Sequence, residues 1–452
     1  MNTKLLRRRT IGVATCVALA AALVGAPATA FANPTGPAPA AANPAGSSPV
    51  AASTVGPAVA SPAGAHAGPV EGRGVLLSVT PVARLSAAEV AEVVSQIPWD
   101  TTHVRYGVTA YRIEYRTVDA HGRPTTASAL VVLPETAAPR LPGSGAPLPV
   151  IVYGHGTQAY RGGVASMVAG NGDREAAELF SSAGYATVAP DYLGLGTGAG
   201  NHPYMDTASE VSASLDALRA AATLATRQGR QLDPRVLVTG FSQGGTAAMG
   251  LGEALQRGAD PYWRLRALAP ISGPYDLQHT ELAALIDHPG DGDGELDPVD
   301  GTLYIAYWTV AMNRLFPLYD SPSEVFRAPY DATVEQLFDG NHDEETILAN
   351  LPGTPVDLLT PEYVRRLRQP SGALLAAERA GDGTCQWQPR VPVRLFAADG
   401  DRDALIANAR QCQRQLRSHG ATAQLTDVGP VDHTGSAILS IPRALDWFIS
   451  LR

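Results

Sequence analysis

The residues with the clearest chemical meaning are Gly240-Phe241-Ser242-Gln243-Gly244, a G-x-S-x-G pattern. It follows an apolar run, Val236-Leu237-Val238, and opens a helix-prone stretch, Gln243 to Leu255. A serine between a strand and a helix sits on a sharp turn that exposes its hydroxyl and tolerates only small neighbours. Gly240, Gly244 and Gly245 meet that requirement. The helix that follows aims its first amides at the serine and favours negative charge there. A serine hydroxyl is a poor nucleophile at neutral pH. It needs an imidazole to take its proton and a carboxylate to orient that imidazole.

Where such an elbow carries the nucleophile, the acid and then the histidine follow it along the chain. His433 is the last of ten histidines and lies in Val431-Asp432-His433-Thr434-Gly435, a loop before the closing helix. His419 is also in this region but falls at a helix end. The acid belongs just past the strand Val393 to Ala397, in Ala398-Asp399-Gly400-Asp401-Arg402-Asp403. Asp401 is the first candidate and Asp399 the alternative, with the unused carboxylates read as loop surface. Two donors must receive the oxyanion. One is the main-chain N–H of Gln243. The other comes from Gly154-His155-Gly156-Thr157, with Thr157 preferred and Gly156 its alternative. His155 is read as packing that loop.

The elements that must position these groups alternate between strand and helix. Tyr111 to Arg116 and Ala127 to Leu133 read as a hairpin across the turn Asp119-Ala120-His121-Gly122. Continuous apolar runs at Pro149 to Tyr153, Ala186 to Ala189, Val236 to Val238, Leu268 to Ile271, Val393 to Ala397 and Thr422 to Thr426 read as buried strands. Helical periodicity separates them at Arg174 to Ser182, Thr207 to Arg227, Gln243 to Leu255, Ala404 to Ser418 and Ile438 to Leu451. The pattern predicts an α/β fold with a mostly parallel sheet covered by helices on both faces.

One long interruption, residues 278–389, has helical stretches and no β alternation, and reads as a cap over the mouth of the site. Tyr304, Trp308 and Leu315 are its candidate substrate-lining residues. Within it, Asp291-Gly292-Asp293-Gly294-Glu295-Leu296-Asp297 lacks the full ligand series of a calcium loop and reads as a solvated loop, so no metal site is expected.

The first 32 residues read as an export signal. Lys4, Arg7, Arg8 and Arg9 precede the apolar run Ile11 to Val24, and small residues around Ala30 and Ala32 suit cleavage. Residues 33–70 contain no charged side chain and eight prolines, a composition expected to stay extended as a linker. The catalytic body is then 71–452. Export leaves Cys385 and Cys412 in an oxidising compartment, where one disulfide is expected.

The chain of 452 residues is 45% hydrophobic with a net charge of −9, and nothing basic clusters beyond its first ten residues. Its mean hydropathy is −0.03. These values argue against nucleic-acid binding and against stable membrane insertion.

Taken in series, Gly154-His155-Gly156, Gly184-Tyr185, Ala189-Pro190-Asp191-Tyr192-Leu193-Gly194-Leu195-Gly196, His202-Pro203-Tyr204 and the Ser242 elbow carry a resemblance. With the Asp401 and His433 loops, the sequence from about Arg105 to Arg452 resembles the secretory lipase family of α/β-hydrolases, similar to Candida lipase A and its bacterial relatives. It departs from them at Ala397-Ala398, where His-Gly is frequent, and at Asp432, where Gly is common. The resemblance implies secreted hydrolysis of carboxylic esters, triacylglycerols included, by an enzyme without cofactor. The expected partner is a small-molecule or lipid ester, met by a monomer that can work at a lipid–water interface. A serine exopeptidase or an acyltransferase on the same fold is the alternative.

Overall fold

The computed structural model describes residues 72–135, 145–287 and 296–452. The export segment, the linker and most of the 291–297 loop lie outside the described residues.

Nine strands among the described residues form one sheet: β1 (Leu76–Leu85), β2 (Val108–Val118), β3 (Pro124–Pro134), β4 (Leu148–Gly154), β5 (Ala186–Pro190), β6 (Leu232–Phe241), β7 (Arg264–Ile271), β8 (Val393–Ala397) and β9 (Ala423–Asp427). Their spatial order is β1-β2-β3-β5-β4-β6-β7-β8-β9. The first three strands and the β3–β5 pair are antiparallel; from β5 through β9 the sheet is parallel.

The helices of the body are α1 (Ala87–Gln96), α2 (Asp173–Ser182), α3 (Thr207–Arg227) and α4 (Gln243–Gln256). Between β7 and β8 the cap contributes α5 (Leu282–Asp287), α6 (Pro298–Asn313), α7 (Val334–Leu337), α8 (Glu344–Ala349), α9 (Pro355–Leu358), α10 (Pro361–Arg368) and α11 (Gly372–Gly381). The chain closes with α12 (Ile406–Ser418) and α13 (His433–Ser450).

Side chains of a strand alternate between faces, and here both faces are dry. Val150, Val152, Val236 and Val238 pack with α3, α4 and α12. Ile151, Tyr153 and Leu237 pack with α1, α2 and α13. Strands buried on both sides must be apolar at every position, which is why these runs show no polar alternation. The cap has its own cluster around Ile305, Trp308, Met312, Leu358 and Tyr363.

Three elements differ from the sequence reading. β1 and α1 carry no strong apolar period, since β1 is a half-exposed edge strand and α1 buries only Val90 and Val94. The signal for α1 was its reciprocal cap, in which the Ser86 side chain accepts from the Glu89 N–H while Glu89 accepts from the Ser86 N–H. α13 begins at His433 rather than near Ile438, because Asp432 caps it by accepting from the Gly435 N–H at 2.7 Å.

Register aligns the carboxyl ends of the central strands. Gly154 lies opposite Gly240, Phe241 opposite Ile271, Ile271 opposite Phe396, and Ala397 opposite Asp427. The loops after β4, β6, β8 and β9 therefore leave one edge of the sheet, where parallel α/β sheets bind their ligands.

Candidate active site

Ser242 is the residue between β6 and α4, with φ 56° and ψ −121°, a left-handed conformation that a non-glycine residue rarely holds. Its N–H donates to the Ile271 carbonyl at 2.9 Å, which ties the turn to the neighbouring strand. The flanking glycines are sterically required. A Cβ on Gly240 would lie 2.2 Å from the Gly244 carbonyl oxygen, and one on Gly244 would lie 2.1 Å from that of Gly154.

His433 and Asp401 meet from two different loops. His433 Nδ1 is 2.8 Å from Asp401 Oδ2. The other oxygen of Asp401 accepts the N–H groups of Asp403 and Ala404, each at 3.0 Å, so the buried carboxylate is fixed in place. Asp399 is exposed and Asp403 instead accepts from the Tyr304 hydroxyl at 3.1 Å. The imidazole lies on the ring of Phe241, the residue before Ser242, with centroids 4.5 Å apart. Ser436 Oγ donates to the His433 carbonyl and lies 2.7 Å from Ser272 Oγ, which anchors the start of α13 to the end of β7.

Burial alone would push the His433 proton off, but the hydrogen bond to Asp401, its charge, and the nearby Asp403 and Asp300 carboxylates outweigh it and raise the imidazole above its ordinary range. Burial also raises Asp300 to about 7 and keeps the Glu281 carboxyl well above the carboxylate range.

The loop after β4 passes over the serine: a Cβ on Gly156 would stand 3.5 Å from Ser242 Cβ. Thr157 follows it, and its hydroxyl pairs with Tyr204 at 2.9 Å. His155 is buried, with Nδ1 2.6 Å from the Gly156 carbonyl and Nε2 3.3 Å from that of Asp191, so it braces the loop. Gln243 is the first residue of α4, with its N–H at the helix start, where no intrahelical acceptor is available.

Ser242 and Thr157 share a cavity of about 60 Å³ with Tyr304 and Trp308. Leu315 does not reach it. That residue lies two positions past the end of α6 and packs at the margin of the cap cluster instead. Sequence reasoning missed the rest of the apolar wall, Leu277, Leu282, Leu285, Leu296 and Ile305, together with Glu281 at its polar end. The available signal was the leucine run directly behind β7, Leu277 to Leu285, which enters the cap at the edge where Ser242 leaves the sheet. Among the described residues, no group of three or more His, Cys, Asp or Glu is arranged to hold a metal ion, and no helix is long and apolar enough to cross a membrane.

No family model and no curated protein sequence matches the chain. Solved structures do. A ligand-bound form of the rice cell wall degrading esterase LipA from Xanthomonas oryzae superposes with a TM-score of 0.74 at 27% identity, covering 84% of this chain and 100% of that one. Candida antarctica lipase A matches with a TM-score of 0.57 at 15% identity over 83% of this chain and 82% of its own, a likeness of fold. With its mostly parallel sheet and its helical insertion, the chain has the α/β-hydrolase fold, and its likeness to an esterase supports carboxylic ester hydrolysis.

Proposed function

We propose that the protein is a secreted serine esterase in which Ser242, His433 and Asp401 form the catalytic triad. The observation that carries this reading is the 2.8 Å contact between His433 Nδ1 and Asp401 Oδ2, made at the sheet edge where Ser242 is held in its strained turn. Asp401 fixes the imidazole with Nδ1 protonated, leaving Nε2 free to accept the serine proton. Ser242 Oγ then attacks the ester carbonyl carbon, and the carbonyl oxygen takes the negative charge. The main-chain N–H groups of Gln243 and Thr157 receive it. Collapse breaks the bond to the alkoxy group, which leaves as the alcohol with the proton from His433. Water, deprotonated by His433, attacks the acyl-serine and releases the acid.

The apolar wall supports an acyl site in the cap. Cavities of about 150 Å³ hold a benzene ring, so the 60 Å³ here suits short acyl groups unless the cap moves. Export is supported by the charged and apolar N-terminal sequence and by the Cys385–Cys412 disulfide. Contact with an ester–water interface is supported by Tyr160, Met167 and Val168, exposed on the segment that follows the Thr157 loop.

The test is Ser242→Ala assayed on p-nitrophenyl esters of increasing chain length, with fluorophosphonate labelling in parallel. Turnover should fall by at least ~10⁴ and labelling should vanish. Wild-type turnover in that variant would sink the triad, and His433→Ala should be nearly as severe.

A further inference from the structure

Behind the serine turn lies a polar cluster that the reaction just described does not use. His202, Glu210 and Gln243 are all buried. His202 Nδ1 faces the Leu193 carbonyl at 2.9 Å, so Nδ1 carries the proton and Nε2 is an acceptor. Gln243 Nε2 lies 2.8 Å from that acceptor and donates to Glu210 Oε1 at 2.6 Å. Both protons of one side-chain amide are thus spent on anchors from two directions: the segment after β5 and helix α3. Meanwhile Gln243 Oε1 is buried without a hydrogen-bond partner, and Glu210 is approached by the Met205 main chain. A half-satisfied network is a poor way to fill a core, and an apolar side chain would pack there at lower cost.

The network's position gives it a use. Gln243 owns one of the two oxyanion N–H groups, and its peptide is joined to Ser242, whose φ of 56° is strained. The carbonyl of that peptide accepts from the Gly245 N–H at 2.8 Å, and the anchored Gln243 side chain holds the peptide from its other end. We infer that Glu210 and His202 are positioning residues of the oxyanion hole, clamping the Gln243 side chain so that its main-chain N–H stays aimed at the developing charge. This rests on Ser242 being the nucleophile.

The clamp has a charge dependence. Around Glu210 the titratable groups are His202, Asp206, Tyr192 and Tyr204, none of them a cation at neutral pH. Burial, with Asp206 adding to it, pushes Glu210 up to about 8, and burial drives His202 down to about 3. Near pH 7 the cluster is therefore uncharged. Above about 8, Glu210 becomes an anion behind a donor whose task is to stabilise negative charge, so kcat should fall along an alkaline limb.

The experiment uses the whole enzyme, p-nitrophenyl acetate as substrate and phenylboronic acid as a tetrahedral analogue. Gln243→Met keeps the main-chain N–H and removes the anchored amide. It should lose about 10- to 100-fold in kcat with KM changed by less than about twofold, and bind the boronic acid more weakly by the same factor. Glu210→Leu should lose kcat likewise, and Glu210→Gln, permanently neutral, should recover most of that loss and abolish the alkaline limb. Wild-type kcat and boronic acid affinity in a folded Gln243→Met would overturn the inference, as would an alkaline limb that survives in Glu210→Gln. If Gln243→Met does not fold, the pH profile of Glu210→Gln decides alone. Ser242→Ala separates the two levels. Turnover in that variant would refute the nucleophile itself, whereas a dead Ser242→Ala beside an unaffected Gln243→Met would refute only the clamp.

Discussion

The sheet edge and the cap both line the cavity, but they are built in different ways. At the edge, the Ser242 turn and the Asp401 carboxylate are fixed by main chain: a strand register, a steric limit at Gly240 and Gly244, a pair of N–H groups on Asp401. In the cap, the wall is made of side chains from α5 and α6, Leu282, Leu285, Ile305 and Trp308, held by apolar packing within the cap cluster. Main-chain geometry admits few substitutes, whereas apolar packing accepts many of similar volume. The edge should therefore govern whether the reaction runs, and the cap which acyl group enters.

After the loss expected of Ser242→Ala and His433→Ala, the largest effect should come from the carboxylates after β8. Asp401→Asn should cost ~10³ to 10⁴ in kcat by disorienting the imidazole, while Asp399→Asn, at an exposed position, should stay close to wild type. A dead Asp399→Asn with an active Asp401→Asn would break the comparison at its strongest point. On the other side, Trp308→Ala should leave acetate esters nearly unaffected and raise kcat/KM for octanoate relative to acetate by about tenfold. A fall on every ester alike would mean that the cap also holds the reacting atoms.

The disulfide bridges the two regions in sequence. Cys385 and Cys412 are bonded, 27 residues apart, and the closed loop carries Asp401. By loop-closure entropy the bond adds about 3–4 kcal/mol, so Cys385→Ser/Cys412→Ser should melt about 4 °C lower in calorimetry, given the size of the domain. Two alkylatable thiols in the unreduced protein would remove the basis for that shift.

The smallest effect concerns pH. As the proposed general base His433 must be neutral to accept a proton, and its pKa is raised, so under that reading activity should be lost as pH falls through a value above the ordinary ~6.5. Asp403→Asn removes one of the carboxylates that favour the imidazolium. The acidic limb should then move to lower pH, by less than about one unit. An unmoved limb would remove Asp403 from the electrostatics of the imidazole.

What could be read from the sequence follows the same division. The elbow was legible because glycine spacing, an apolar strand and a helix coincide within a few residues. His433 was legible from chain order, and the Asp401 loop from its strand. Asp432, an apparent departure, turns out to cap α13 and so to seat the histidine beside it. The apolar wall was legible only in part: Tyr304 and Trp308 were read as lining residues, whereas Leu277, Leu285 and Ile305 join them through tertiary packing, with the leucine run behind β7 as their one sequence signal. Leu315 was misjudged because its place depends on where α6 stops. The His202–Gln243–Glu210 cluster was hidden for a related reason: its three members come from separate segments.

The cap and the loop of Asp401 are also laced together. The Asp297 N–H donates to the Arg402 carbonyl at 2.8 Å, Tyr304 donates to Asp403, and the Leu405 N–H donates to Glu281 at 3.2 Å. For anyone recombining such enzymes, the cap is then not a detachable module. A chimera that imports a foreign insertion at the ends of β7 and β8 would sever all three ties and leave the carboxylate loop with only its own internal hydrogen bonds. The transplantable unit has to run past β8 to Asn408, carrying the loop of Asp401 along with the insertion that braces it.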